Sequence, residues 1–173
     1  CSYCRLISNR RYIYNHSSES QIFLNKHRIQ CTSIGNSNNI QINGSCSTLI
    51  LTGFYNNIDI IGVKAKVLSN ANNNKIIING NFPCIYSQGI NTDITVFGDG
   101  PKIHSKGKYS RITCFGRNPY IKASKGSCII LSDERYRTAK VVYVDGDIIK
   151  EDTWYTYCNG KPVEGICQIE ELD

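Results

Sequence analysis

The chain reads as an all-β protein: a parallel β-solenoid with 18-residue coils, two nine-residue units each, and a small C-terminal β-meander cap. Three observations carry this expectation: an apolar column repeating every nine residues, a glycine column locked to it, and a composition poor in helix formers. The apolar column runs Cys4, Ile13, Ile22, Cys31, Ile40, Leu49, Ile58, Val67, Ile76, Ile85, Ile94, Ile103, Ile112, Ile121 and Ile130, and a fixed period of this kind is the mark of a stacked repeat. Met is absent, Pro occurs four times, and Asn, Ile, Ser, Tyr and Gly dominate over Ala and Leu, a composition suited to strands and turns.

Within the unit, a second column of small or aliphatic residues follows two places later: Ile42, Leu51, Ile60, Ser69, Ile78, Ser87, Val96, Ser105, Cys114 and Ala123. Alternation of this kind turns both side chains to one side of a short strand. Four places after the first column stand Gly35, Gly44, Gly53, Gly62, Gly80, Gly89, Gly98, Gly107 and Gly116, with Ala71 the one break in the run. Glycine is expected there to supply the positive φ that turns the chain.

Alternate units differ, so the full coil is 18 residues. Ser33, Ser69, Ser87, Ser105 and Ala123 fall in every second unit, the same units are preceded by Pro83, Pro101 and Pro119, and the other corner carries Asn38, Asn56, Asn74, Thr92 and Ser110. Stacked Asn side chains predict an internal hydrogen-bond ladder. Roughly seven coils at about 4.8 Å each give a rod about 35 Å long.

The predicted division is residues 1–20 as an irregular first coil or an N-terminal stump, 21–132 as the solenoid, and 133–173 as the cap. The repeat register is expected to fail after Ile130. Beyond it, strands are expected at Ala139–Val144, Asp147–Lys150, Thr153–Cys158 and Lys161–Glu164, joined by the hairpin dipeptides Asp145-Gly146 and Asn159-Gly160. Trp154, Tyr143, Tyr155 and Tyr157 are the residues expected to seal the last coil. An open stack of strands invites growth, and a cap addresses one end.

The tail also carries a resemblance. Gly-Ser-Cys-Ile-Ile-Leu from Gly126, Ala139–Tyr155 with its Val-Asp-Gly-Asp-Ile-Ile-Lys-Glu-Asp-Thr-Trp-Tyr core, and Asn159–Glu164 resemble the C-terminal segment of an uncharacterised phage and prophage family of nonapeptide β-solenoids. The segment covers about 40 residues, and the repeats match that family only in period. The resemblance implies a phage or prophage origin, with residence in the host cytoplasm or the virion, and carries no catalytic residues.

Chemistry-bearing residues are sparse. A calcium roll needs an Asp in each turn, but the turns hold Asn, Lys, Ser and Arg, with Asp99 nearly alone. Asp59 and Asp93 are the only carboxylates on solenoid strands and fall two coils apart, too far for an acid–base pair. His16, His27 and His104 stand near no nucleophile pattern. The nine Cys residues read mainly as small hydrophobes in a reducing compartment. The Cys1-Ser-Tyr-Cys4 pair lacks a second pair, and Cys128, Cys158 and Cys167 match no metal-ligand spacing. No catalytic residue, metal or cofactor is therefore expected. No run of 18 apolar residues exists, which predicts no membrane-spanning helix, and no N-terminal leader pattern is present.

What remains is surface. One sheet face is expected to show Lys66, Tyr86, Lys102, His104, Lys106, Tyr120 and Lys122, a basic and aromatic face for nucleic acid, a nucleotide or a glycan. Such a ligand would fit an inhibitor of host defence or a phage tail appendage. The net charge of +6 permits an anionic partner and excludes an acidic DNA mimic. The opposite face is expected to show Ile61, Ile77, Phe97 and Phe115, an apolar patch covered by a second copy, another protein or the chain's own tail. The primary expectation is a non-enzymatic accessory or structural protein that acts as a rigid scaffold through protein contacts.

Overall fold

The computed structural model describes residues 5–133, 138–158 and 161–165. The Cys1–Cys4 pair, the Asn159-Gly160 turn and Cys167 lie outside them. No helix occurs among the described residues, and the strands form two sheets. The first sheet holds β1 (Arg5–Ser8), β3 (Gln21–Asn25), β5 (Asn39–Asn43), β7 (Asn57–Ile61), β9 (Lys75–Asn79), β11 (Asp93–Phe97), β13 (Arg111–Phe115) and β15 (Cys128–Asp133), then β16 (Thr138–Tyr143). The second holds β2 (Tyr12–Asn15), β4 (Gln30–Ile34), β6 (Thr48–Thr52), β8 (Lys66–Ser69), β10 (Cys84–Ser87), β12 (Lys102–Ser105) and β14 (Tyr120–Ala123), then β17 (Trp154–Cys158) and β18 (Lys161–Glu164). All neighbours up to β14 and β15 pair in parallel, and from β2 to β14 each residue faces the one 18 positions on, as Ile58 faces Ile76 and Ile76 faces Ile94. The protein is thus a parallel β-solenoid of about seven coils. Of residues 5–20, β2 pairs with β4 in that register, whereas β1 pairs with β3 at an offset of 16, so Leu6 is the register partner of Ile22.

The two alternating columns meet between the sheets. Every member of the first column from Ile13 to Ile121 is buried, as is every member of the second from Asn15 to Ala123. The two edges of this thin core differ in polarity. The corner leading from the first sheet to the second packs Ile29, Ser47, Ala65, Pro83, Pro101 and Pro119, mostly apolar, beside aliphatic residues such as Ile42, Ile60 and Ile78. The opposite corner buries Asn38, Asn56, Asn74, Thr92 and Ser110, and the inward serines face it: Ser105 Oγ donates to Ser110 Oγ at 2.9 Å, and Ser87 Oγ to Thr92 Oγ1 at 3.4 Å. Buried hydroxyls need partners, which explains why the fully buried inward serines lie in this sheet.

The asparagine ladder exists, with side chains bonded to backbone rather than to one another. Asn38 Oδ1 accepts the N–H of Ser20, Asn56 Oδ1 that of Asn38, and Asn74 Oδ1 that of Asn56, at 2.8–2.9 Å.

Two expectations are corrected. First, the register slips before Ile130. Ile112 faces Ile129, and Ile130 lies on the outer face. The corner between β14 and β15 is one residue short: Ser110 N–H donates to Ser127 Oγ, 17 positions on. A slip of one reverses every side chain of a strand, so Ile129 and Leu131 enter the core while Cys128 and Ile130 leave it. Second, Asp147–Lys150 is not a strand and Asp145-Gly146 is not a hairpin turn. Asp145 Oδ1 accepts the N–H groups of Asp147 and Ile149 at 2.9 and 3.0 Å, a local closure that competes with strand pairing. The segment instead carries the chain from one sheet to the other. The cap is therefore split: β16 pairs antiparallel with β15, and β17 with β14 and β18. Tyr155, Val142, Val144 and Ile149 are buried beneath it, while Tyr143 is exposed and Trp154 faces outward.

Candidate functional site

The outer face of the second sheet is set by strand alternation and the 18-residue register. Its central column runs Leu68, Tyr86, His104, Lys122 and Trp154; the column beside it runs Lys66, Cys84, Lys102, Tyr120 and Thr156. Lys106 stands just beyond the end of β12. The seven residues expected on this face are therefore brought together toward the C-terminal end of the rod, and the cap adds two more, Asp152 and Trp154.

Asp152 lies over the cationic end of the face. Its Oδ1 is 3.0 Å from Lys122 Nζ and 3.4 Å from His104 Nε2, and its N–H donates to the carbonyl of Ala123 at 3.0 Å. The rings form a chain: Tyr86 and His104 meet edge to face with centroids 5.1 Å apart, and His104 and Trp154 lie 5.8 Å apart at 58°. Lys106 Nζ sits 5.6 Å from the Tyr86 ring centroid, a cation–π contact. Lys66 and Lys102 make no ion pair among the described residues.

The electrostatics follow from these contacts. Burial, and then the nearby Lys122 charge, hold the His104 imidazole below its ordinary range, against the pull of Asp152. Burial pushes the Asp152 carboxyl up, but Lys122 and His104 outweigh it and the group ends below the usual carboxylate range. The amide of Gln88, donating to Tyr86 Oη at 2.9 Å, leads the causes that lower the Tyr86 phenol.

The outer face of the first sheet carries the apolar residues. Phe97 and Phe115 are register partners, and their rings stack with centroids 4.8 Å apart at 5°. Ile61 stands in their column two coils away, with Asn79 between. Ile77 stands in the central column with Thr95, Thr113, Ile130 and, across the antiparallel pair, Val141. The patch is thus strongest at the C-terminal end, where Phe97 is 43% and Val141 53% exposed. Ile130 and Val141 were not legible as members, because the slip and the β16 pairing put them there.

Asp59 and Asp93 come no closer to a catalytic pair. Asp93 faces Lys75 in register and is bound by the Arg111 guanidinium. The buried Cys31 and Cys114 thiols are pushed up to about 12 by burial, so they pack as neutral apolar groups. Among the described residues no three His, Cys, Asp or Glu side chains converge as metal ligands.

Protein-family models, curated proteins and solved structures were compared with the chain, and none matches it.

Proposed function

We propose that this protein is a non-enzymatic phage or prophage accessory or structural protein, a rigid scaffold that works through protein contacts, with a second copy of this chain as the first partner. The observation that carries the reading is the outward Phe97–Phe115 stack with Ile130 and Val141 beside it. Large apolar side chains gathered on an outer sheet face mark an interaction surface. A regular sheet face holds them in fixed rotation and spacing, so little ordering cost falls on association. The phage assignment rests on the tail segment's resemblance, and host cytoplasm or virion is the compartment that goes with it.

Light scattering tests the reading. The wild-type chain is expected to run as a defined multimer, and Phe97→Ser with Phe115→Ser to run as a monomer with unchanged melting. A wild-type monomer, or a multimer untouched by the double substitution, removes this face as the self-contact.

A further inference from the structure

The second sheet supplies an independent binding surface, and its chemistry goes beyond the scaffold reading without resting on it. We propose that its C-terminal end is a site for an acidic polysaccharide, completed by the arm that carries Asp152 and Trp154.

Three features select this ligand class. The first is the mixture of charges. Asp152, whose side chain is 67% exposed, stands between Lys122 and His104. A sugar hydroxyl donates and accepts at once, so a carboxylate beside an ammonium suits it. The oxygens of a phosphodiester backbone only accept, so they offer the Asp152 carboxylate no donor, whereas the hydroxyls of an acidic polysaccharide do. The second is ring geometry. Tyr86, His104 and Trp154 turn by 80° and then 58° from one ring to the next. They present alternating edges and faces rather than the parallel platforms on which successive bases stack, and apolar C–H faces of puckered sugar rings fit such a surface. The third is the set of cations around this centre. Lys66 and Lys102 flank the ring column on one side and Lys106 caps Tyr86. None of these three has an acidic partner among the described residues, which leaves them for the carboxylates or sulfates of the ligand.

Affinity electrophoresis of the intact chain in gels holding sodium alginate, neutral dextran or single-stranded oligothymidylate reads the three ligand classes separately. Alginate is expected to retard the protein and dextran much less. Trp154→Ala is expected to weaken alginate binding about tenfold, equivalent to about 1.4 kcal/mol. Lys102→Glu, an outward change within a strand, serves should Trp154→Ala loosen the cap. Alginate binding unchanged by Lys102→Glu, equal retardation by dextran, or oligothymidylate retarding the protein as strongly as alginate would each overturn the proposal. These outcomes leave the first-sheet interface untouched, so the two ideas fail separately.

Discussion

At the scale of single residues, the glycine column has a second cause beside the positive φ that its sequence pattern suggests and that Gly35, Gly53, Gly62, Gly98 and Gly116 adopt. Gly44, Gly80, Gly89 and Gly107 do not have positive φ. Glycine is required there because the coils approach too closely for a side chain: a Cβ on Gly80 would lie 2.0 Å from the carbonyl oxygen of Gly62, and one on Gly44 1.9 Å from that of Lys26. The left-handed conformation proper falls two residues later, on Glu19, Arg28, Ser37, Cys46, Tyr55, Lys64, Asn73, Phe82, Asn91, Gly100, Tyr109 and Asn118, one in each corner between β2 and β14. Only Gly100 and the asparagines suit that region well. No residue type marks the column, which is why it was not legible. The two columns predict opposite effects in thermal melting. Gly80→Ala is expected to destabilise by about 2 kcal/mol or more, since two backbones must separate. Lys64→Gly is expected to stabilise by about 0.5–1 kcal/mol, the relief of the left-handed penalty less glycine's chain entropy. Equal effects of one sign would contradict this division of roles.

At the scale of elements, the one-residue slip before β15 and the crossover after β16 determine both candidate faces. The short corner turns Ile130 outward onto the apolar patch. The crossover, closed by Asp145, delivers Asp152 and Trp154 to the opposite sheet. The His104–Asp152–Lys122 contact ties this arm to the solenoid and makes its docking pH-dependent. The folded His104 is harder to protonate than the unfolded one, so as pH falls through the ordinary histidine value the unfolded chain gains a proton that the folded chain resists. That contribution to stability is present above the ordinary value and lost below it. Asp152, whose pKa is depressed, loses its own contribution at still lower pH, in the same direction. His104→Gln is therefore expected to shrink the fall in Tm between about pH 7.5 and about pH 5.5. A fall of the same size in the variant would place the titrating group elsewhere.

At the scale of the whole molecule, the core is a single layer of side chains shared by two sheets, and each coil rests only on its neighbours. A fault in the middle therefore has no second core to fall back on. Ile76 is fully buried, with Ile58 and Ile94 as its register partners in the adjacent coils. Ile76→Asp is expected to cost about 4 kcal/mol or more by burying an unpaired carboxylate, and to abolish the cooperative transition followed by circular dichroism. Melting like that of the wild type would contradict the packing register. The two ends of the rod also differ: among the described residues β1 and β2 are the outermost strands at the N-terminal end and pair in parallel, whereas antiparallel strands from the tail follow β14 and β15 at the other.

The sequence by itself determined the solenoid, its 18-residue coil, the inward columns and the sheets that Lys66, Lys102, Lys122, Phe97 and Phe115 would face. These follow from period two and period nine, and both periods are written in side-chain hydrophobicity over short stretches. Only the tertiary structure decided where regularity stops. The shortened corner that exchanges Ile130 for Ile129 depends on Ser127 taking the place of a residue one position later. The landing of Asp152 and Trp154 beside His104 depends on pairing between strands more than 30 positions apart. Neither event has a repeat to announce it. Long-range pairing is decided by the total surface buried when the tail closes the last coil, and no local pattern carries that sum.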